Sequence, residues 1–331
     1  MPPKPGAAEV PGHIALLVNP VSGRGRGTTA ADTAVARLRE LGAEVREFTG
    51  TSVDDTRALA SQAAAGRPRA LVVVGGDGTL SSVLDVVVGA GIPIALVPAG
   101  TGNDLARALG LPYESSAAAV AAAAELALSG VPRRIDIGLA ETAGGVRRFL
   151  TVAALGFDAR VSERTNRLRW PRGTARYYLA LFVELVRLRP VPFSIGVDGA
   201  PRQHLPGTLI AVGNTASYGG GMPVCPAANP CDGLLEITHI APLGRLKLIR
   251  LFPLLLRGRH IERSEVTSTA AGTIEVDAPG LVVYADGERL GGGAVRFSLL
   301  PGALTVLVPG TVPGAVPDAA PDAAVAPRRQ V

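Results

Sequence analysis

Aromatic residues are scarce in this chain: Phe, Trp and Tyr make up 4% of 331 residues. No short run combines basic residues with stacking aromatics, so nucleic acid is not an expected partner. Cysteine is nearly absent too. Cys225 and Cys231 make no disulfide framework, and no His or Cys partners stand at zinc spacing. Free thiols in a reducing compartment are expected. The opening stretch MPPKPGAAEVPGH lacks the apolar core of a signal peptide. No uncharged apolar run reaches the length of a membrane span, so a cytoplasmic chain is expected. The pattern G-x-x-x-x-G-K-[ST] is missing as well, which excludes a Walker A loop.

Apolar residues are plentiful at 47%, enough for a sizeable core, and the length suits two domains. A net charge of +5 and a pI near 9.7 fit work near phosphate or an anionic surface. From His13 the chain alternates strand and helix: HIALLVNP, TTAADTAVARLRELG, AEVREFT, VDDTRALASQAAAG, RALVVVGG, TLSSVLDVVVGAG, IPIALVPAG, NDLARALG. Apolar strands alternating with helices predict a parallel sheet with helices on both faces. SAAAVAAAAELALSG reads as a long helix. Beyond about Val131 the texture changes to short strands separated by Gly, Pro and Asp turns, predicting a mainly antiparallel, sandwich-like second domain. RYYLALFVELVRL and APLGRLKLIRLFPLLLRG read as helices within it. There is no internal repeat.

Three unusual loops, NPVSGRGRG, GGDGT and PAGTGND, fall at the strand carboxyl ends, where such sheets bind ligands. Gly75, Gly76 and Gly78 would let backbone approach a phosphate, with free N–H groups at the following helix start. Asp77 is odd there, because an acid repels a triphosphate unless a cation stands between them; it points to Mg²⁺. The plainer alternative is a tight turn with Asp77 or Thr79 as helix N-cap. Thr101 could bond a phosphate, and Asn103 and Asp104 could face a metal or simply cap a helix. Ser22, Arg24 and Arg26 suit phosphate oxygens, or make a solvated basic loop.

Taken together, LVNPVSG, VVVGGDGTL and IALVPAGTGNDLARALGLP resemble the catalytic region of diacylglycerol kinases and the related sphingosine kinases. The likeness continues through RIDIG, AALGFDARV, VGNTASYGGGMPVCPAANPCDGLLEI and YADGE, from Ile14 to about Val308. NAD kinases and phosphofructokinases share a GGDGT-type loop without resembling the rest. The resemblance implies an ATP site lined by Asn19, Pro20, Val21, Ser22 and Gly23, by Thr49, by Gly75, Gly76, Asp77, Gly78, Thr79, Leu80, Ser81 and Ser82, and by Thr101. It implies an acidic cluster of Asp77, Asp104 and Asp136 around catalytic Mg²⁺. Asp232, helped by Asn229 and Leu234, would hold a second, structural Mg²⁺; a plain turn is the alternative. Glu288 would be the general base, or merely an exposed residue beside a tight Asp286-Gly287 hairpin turn. One departure stands out: Ser81-Ser82 replace the Asn-Glu that commonly follows GGDGTL in the family.

The expected division is a flexible N-terminus (1–12), a nucleotide-binding α/β domain (13–134) and a β-rich lipid-substrate domain (135–300). A strand at 301–309 is expected to return to the first domain, and the tail (310–331) is expected to be disordered. The expected activity is ATP- and Mg²⁺-dependent phosphorylation of diacylglycerol to phosphatidic acid. Another lipid alcohol, or a catalytically silent nucleotide- or lipid-binding regulator, are the alternatives. A transient anionic membrane surface is an expected partner on the cytoplasmic face, and a homodimer is compatible with these features. Arg245, Lys247, Arg250, Arg257, Arg259 and Arg263 stand among leucines, and Trp170, Tyr177 and Tyr178 among arginines, as candidates for that surface. Most of the leucines are expected in the core.

Overall fold

A computed structural model describes residues 12–20, 22–168, 170 and 174–310. The expected leader, the tail beyond 310 and Val21 of the candidate nucleotide site lie outside those residues. The first half alternates as the periodicity requires: β1 (Ile14–Val18), α1 (Arg26–Glu40), β2 (Val45–Thr49), α2 (Val53–Ala65), β3 (Ala70–Gly75), α3 (Asp77–Ala90), β4 (Ile94–Pro98), α4 (Asp104–Ala108) and α5 (Ala117–Ser129). The four strands lie parallel in the order β2-β1-β3-β4. Strands β1, β3 and β4 are buried along their whole length, which is why they read as continuous apolar runs. Strand β2 is the edge and is largely exposed. Ser52 and Ser116 cap α2 and α5 by accepting N–H bonds from Asp55 and Ala119.

The second half carries β5 (Val131–Thr142), β6 (Gly145–Phe149), β7 (Val152–Gly156), α6 (Phe157–Arg167), α7 (Thr174–Val186), β8 (Val191–Val197), β9 (Gln203–Gly207), β10 (Leu209–Gly213) and β11 (Leu235–Ile240). It continues with α8 (Arg245–Leu255), β12 (Val266–Ala271), β13 (Ile274–Asp277), β14 (Val282–Ala285), β15 (Glu288–Gly292) and β16 (Val295–Val308). One sheet runs β12-β11-β10-β7-β14-β15; the other joins β16, β13, β8 and β9, with β5 and β6, to the parallel strands. A second apolar core lies between them, centred on Phe149, Phe193 and Phe297. Phe149 and Phe297 meet edge to face at 6.1 Å.

The sequence pattern reads GAVRFSLL and ALTVLVP as two strands and RRFLTVAALGF as one, and it marks neither β9, β12 nor α6; the structure differs at each. GAVRFSLL and ALTVLVP form one strand, β16, interrupted by an irregularity between Leu300 and Leu304; its far half pairs with β4 and β5. FDARVSERTNR forms helix α6, which the polar composition hid. RRFLTVAALGF is broken at Leu150 and Thr151, for a reason found in the site below.

Candidate active site

Three loops leave the carboxyl ends of β1, β3 and β4 and interlock. Gly23 has φ of 57°, and a Cβ there would stand 1.9 Å from the Ala99 carbonyl oxygen. Only glycine fits such a position. Gly76 and Gly100 meet backbone to backbone: a Cβ on Gly76 would lie 2.8 Å from the Gly100 Cα. The Gly76 N–H donates to Ser22 Oγ at 3.2 Å, and Asn19 Nδ2 to Thr79 Oγ1 at 3.3 Å. Arg26 donates to Gly23 O, Gly100 O and Ser115 Oγ at 3.0, 3.0 and 2.6 Å, so its guanidinium joins the loops.

Asp77 does not cap its own helix; Gly76 holds the N-cap position of α3. The Asp77 carboxylate crosses to α4 and accepts the N–H groups of Asp104 and Leu105 at 2.9 and 3.1 Å. Asp104, buried, accepts from Ser217 Oγ at 2.9 Å and from the Gly220 and Gly221 amides at 2.9 and 2.7 Å. A Cβ on Gly102 would stand 3.1 Å from Asp104 Oδ2 and 3.3 Å from Asp77 Oδ2, so the two acids flank one point. Burial raises the Asp77 pKa and the Asp104 charge adds to it, while the two α4 amides pull the other way.

Asp136 is held elsewhere. Its carboxylate accepts the Gly302 and Gly233 amides at 2.6 and 2.8 Å, and its own N–H donates to Pro230 O at 2.7 Å. Its acidic neighbour is exposed Asp232, whose pKa is raised by desolvation and then by the Asp136 charge. Asp232 Oδ1 accepts the Leu234 amide at 3.0 Å, and Asn229 Oδ1 the Cys231 amide at 3.2 Å. The expected single cluster of Asp77, Asp104 and Asp136 therefore resolves into two pairs, Asp77 with Asp104 and Asp136 with Asp232. Among the described residues no three acid, His or Cys side chains form a metal cage. Mg²⁺, however, characteristically takes one or two carboxylates and completes its shell with water and phosphate oxygens. Each pair supplies two carboxylates, and no Lys or Arg salt bridge neutralises any of the four among the described residues. That donor chemistry fits a hydrated Mg²⁺ at either pair.

The opposite wall is the turn Asp286-Gly287 between β14 and β15. Both residues have positive φ, 52° and 84°, as a type I′ hairpin requires. The Asp286 carboxylate points inward and accepts the Leu150 amide, the Thr151 amide and Thr151 Oγ1 at 2.7, 3.0 and 2.6 Å. Those amides are withdrawn from strand pairing, which is why β6 and β7 are separate. Burial pushes the Asp286 pKa up to about 6, with the Asp77 charge contributing. The Asp286 carbonyl oxygen lies 3.7 Å from where a Gly78 Cβ would stand, so this turn rests on the first turn of α3. Glu288 begins β15, half exposed, with Arg147 Nη2 3.7 Å away. The neighbouring Arg148 pairs with Asp85 of α3 and ties the two walls again. Thr49 and Thr101 are exposed at the sheet edge and Leu80 is wholly buried. Ser82 is buried and its hydroxyl donates to Thr79 O at 2.7 Å, whereas Ser81 is partly exposed.

Residues 13–140 match the diacylglycerol kinase catalytic domain, and residues 151–308 match the YegS C-terminal NAD kinase beta sandwich-like domain. A diacylglycerol kinase of Mycobacterium tuberculosis is 44% identical over 299 residues, covering 90% of this chain and 96% of that one. A Pseudomonas aeruginosa protein named probable lipid kinase YegS-like is 36% identical, covering 89% and 94%. This chain belongs to the diacylglycerol kinase-like family of lipid kinases. A crystal structure of a diacylglycerol kinase from Bacillus anthracis shares the fold at a TM-score of 0.67 and 22% identity, covering 91% of this chain and 98% of that one. An NAD kinase from Archaeoglobus fulgidus, solved in complex with ATP, has a TM-score of 0.50 at 16% identity. Likeness of fold thus reaches further than the shared GGDGT loop.

Several structural parts of this lipid kinase escaped sequence reasoning. Asp286 looked like a turn residue, yet its carboxylate anchors the wall that carries Glu288. Ser217, Gly220 and Gly221 hold Asp104 from more than a hundred residues away. The run SYGGG was the available signal, since consecutive glycines mark backbone that must come close to something.

Proposed function

We propose that the protein transfers the γ-phosphoryl group of ATP to the hydroxyl of diacylglycerol, giving phosphatidic acid. The observation that carries this reading is the Asp286-Gly287-Glu288 turn resting on the first turn of α3. It would bring the half-exposed Glu288 carboxylate, whose partner is Arg147 at 3.7 Å, toward the glycine loops, so base and phosphate cradle would face each other across one cleft. An alcohol is a weak nucleophile at neutral pH; the transfer needs alignment, charge neutralisation and a proton acceptor. Glu288 would accept the hydroxyl proton. The α3 N-terminus and the loops 19–23, 75–79 and 99–103 would align the phosphates, whereas the first α4 amides are taken by Asp77. Mg²⁺, when bound near Asp77 and Asp104, would neutralise charge on the phosphoryl oxygens. Asp136 and Asp232, with Asn229 and Leu234 on the same loop, would serve a structural Mg²⁺.

The lipid would be met at a membrane surface. Among the described residues no helix is long and apolar enough to cross a membrane. In α8 the leucines divide: Leu248, Leu251 and Leu255 are buried, whereas Leu246, Ile249, Phe252 and Leu256 are exposed. Phe182 and Val186 of α7 are exposed too, and Arg245 Nη2 donates to Val186 O at 2.6 Å, joining the helices there. Helix α8 carries Arg245, Lys247 and Arg250 and no acid. Apolar side chains ringed by cations suit an anionic bilayer.

The test is transfer from labelled ATP to a panel of diacylglycerol, sphingoid base and isoprenoid alcohol. Phosphatidic acid as the main product is expected. Product only from another alcohol would move the specificity, and ATP binding with no product would leave a silent regulator. In the same assay, Leu246→Glu with Phe252→Glu is expected to lower activity on anionic vesicles about tenfold while sparing micellar substrate, if each buried apolar side chain contributes its usual share.

A further inference from the structure

Helix α6 places Asp158 in its first turn, where its partly buried carboxylate accepts a hydrogen bond from the Tyr218 hydroxyl. Neither residue belongs to the site derived above. Tyr218 opens the segment Tyr218-Gly219-Gly220-Gly221-Met222, whose ends are clipped by reciprocal backbone bonds of 3.2 and 3.0 Å between Tyr218 and Met222. The three glycines have φ of 65°, 93° and 101°. Such a run is costly to order and has no side chains of its own to fix it. Yet two of its amides, with Ser217 Oγ, hold the Asp104 carboxylate, and the Asp104 and Leu105 amides in turn hold Asp77. A Cβ at Gly221 would stand 2.9 Å from Arg107 Nε, so the loop passes close over that side chain.

We propose that Tyr218, clamped by Asp158, is a positioning residue for phosphoryl transfer: the pair fixes the glycine loop that orients Asp104 and, through α4, Asp77. The inference rests on the phosphotransfer reading of that site. Removing the hydroxyl frees the loop without touching substrate, so kcat should fall while the KM for ATP stays nearly constant. Because the two side chains act as one clamp, their losses should not add.

The test uses the full chain with ATP, Mg²⁺ and micellar diacylglycerol. Tyr218→Phe and Asp158→Ala are each expected to lower kcat about tenfold, the scale of one lost hydrogen bond. The double variant should lose no more than either single one, and Asp158→Asn, which keeps an acceptor, should restore most of the rate. Hydrogen exchange at the Gly220 and Gly221 amides should quicken in Tyr218→Phe and in Asp158→Ala, and not in Asp158→Asn. Wild-type kcat in Tyr218→Phe, or additive losses, would overturn the proposal. If the wild-type protein transfers no phosphate, the phosphotransfer reading fails, and the exchange measurement still decides the clamp: unchanged amide exchange in both single variants sinks it.

Discussion

The two walls of the cleft are built to different tolerances. On the parallel-sheet side, backbone packs directly on backbone, and Gly23, Gly76 and Gly100 leave no room for a methyl group. On the sandwich side a two-residue turn leaves open space around Gly287 and is held from beneath by the Asp286 carboxylate. A phosphate cradle needs fixed N–H groups, and fixed N–H groups come from loops with one arrangement only. In the proposed base role Glu288 would need access to a lipid hydroxyl, and it is half exposed. The lesson is that rigidity is concentrated where charge must be placed.

The largest effect is expected from a pair of glycine substitutions that sets one wall against the other. Gly23→Ala forces Cβ into the Ala99 carbonyl and should unfold or inactivate the protein, at a cost of at least about 3 kcal/mol. Gly287→Ala, at φ of 84° with nothing within 4 Å, should cost only the left-handed backbone penalty of about 1–2 kcal/mol. Chemical denaturation curves read both. Equal costs would erase the difference between the walls.

Next come the two acids to which the proposed function gives separate roles, Glu288 on one wall and Asp77 on the other. Glu288→Gln should lower kcat by about 10²–10⁴-fold and leave the melting temperature unchanged, because its ion pair with Arg147 is exposed and worth little. Full turnover in that variant would remove Glu288 from the base role. Asp77→Asn should lower kcat, raise the Mg²⁺ concentration needed and also lower the melting temperature, since Asp77 caps α4. An unchanged metal dependence would end its proposed part beside Mg²⁺.

A smaller effect tests the buried support of the open wall. An Asp carboxyl titrates near pH ~4 in an unfolded chain, whereas burial holds Asp286 at about 6 when folded. Between those values the folded state keeps a proton that the unfolded state has lost, so this group's contribution to stability falls as pH rises through that window. Asp286→Asn removes the dependence, and Asn tolerates positive φ. Urea unfolding of both proteins at pH 4 and 6.5 should show wild type losing ground to the variant as pH rises. A constant gap would mean that folding leaves the Asp286 pKa at its unfolded value. The smallest effect is expected at Asp232, which is exposed. Asp232→Asn should change kcat less than about threefold at saturating Mg²⁺ and should remove part of any Mg²⁺-induced rise in melting temperature.

Much of this was legible in the chain. The strand and helix alternation, the three glycine loops at one edge and the antiparallel second half follow from periodicity and turn residues. So does the turn at Asp286-Gly287, because Asp-Gly suits positive φ at both positions. Local pattern could not show which partner each acid would find. Asp77 looked like an N-cap or a metal ligand, yet its carboxylate is claimed by amides of another helix. Asp136 sat in the motif order beside Asp77 and Asp104, yet it is held with Asp232. Helix α6 and the Asp158–Tyr218 clamp were also hidden, since a polar amphipathic segment and an isolated Tyr carry little signal.

The sequence by itself thus determined most of the elements, the loops between them and the kinase family, because periodicity, turn chemistry and motif spacing are properties of neighbours along the chain. Only the tertiary structure decided which carboxylates stand together, which turn faces the phosphate loops and which amides are spent on acids. Those are matters of hydrogen-bond accounting between segments 27 to 166 residues apart, and a buried acid takes the donors that folding brings to it.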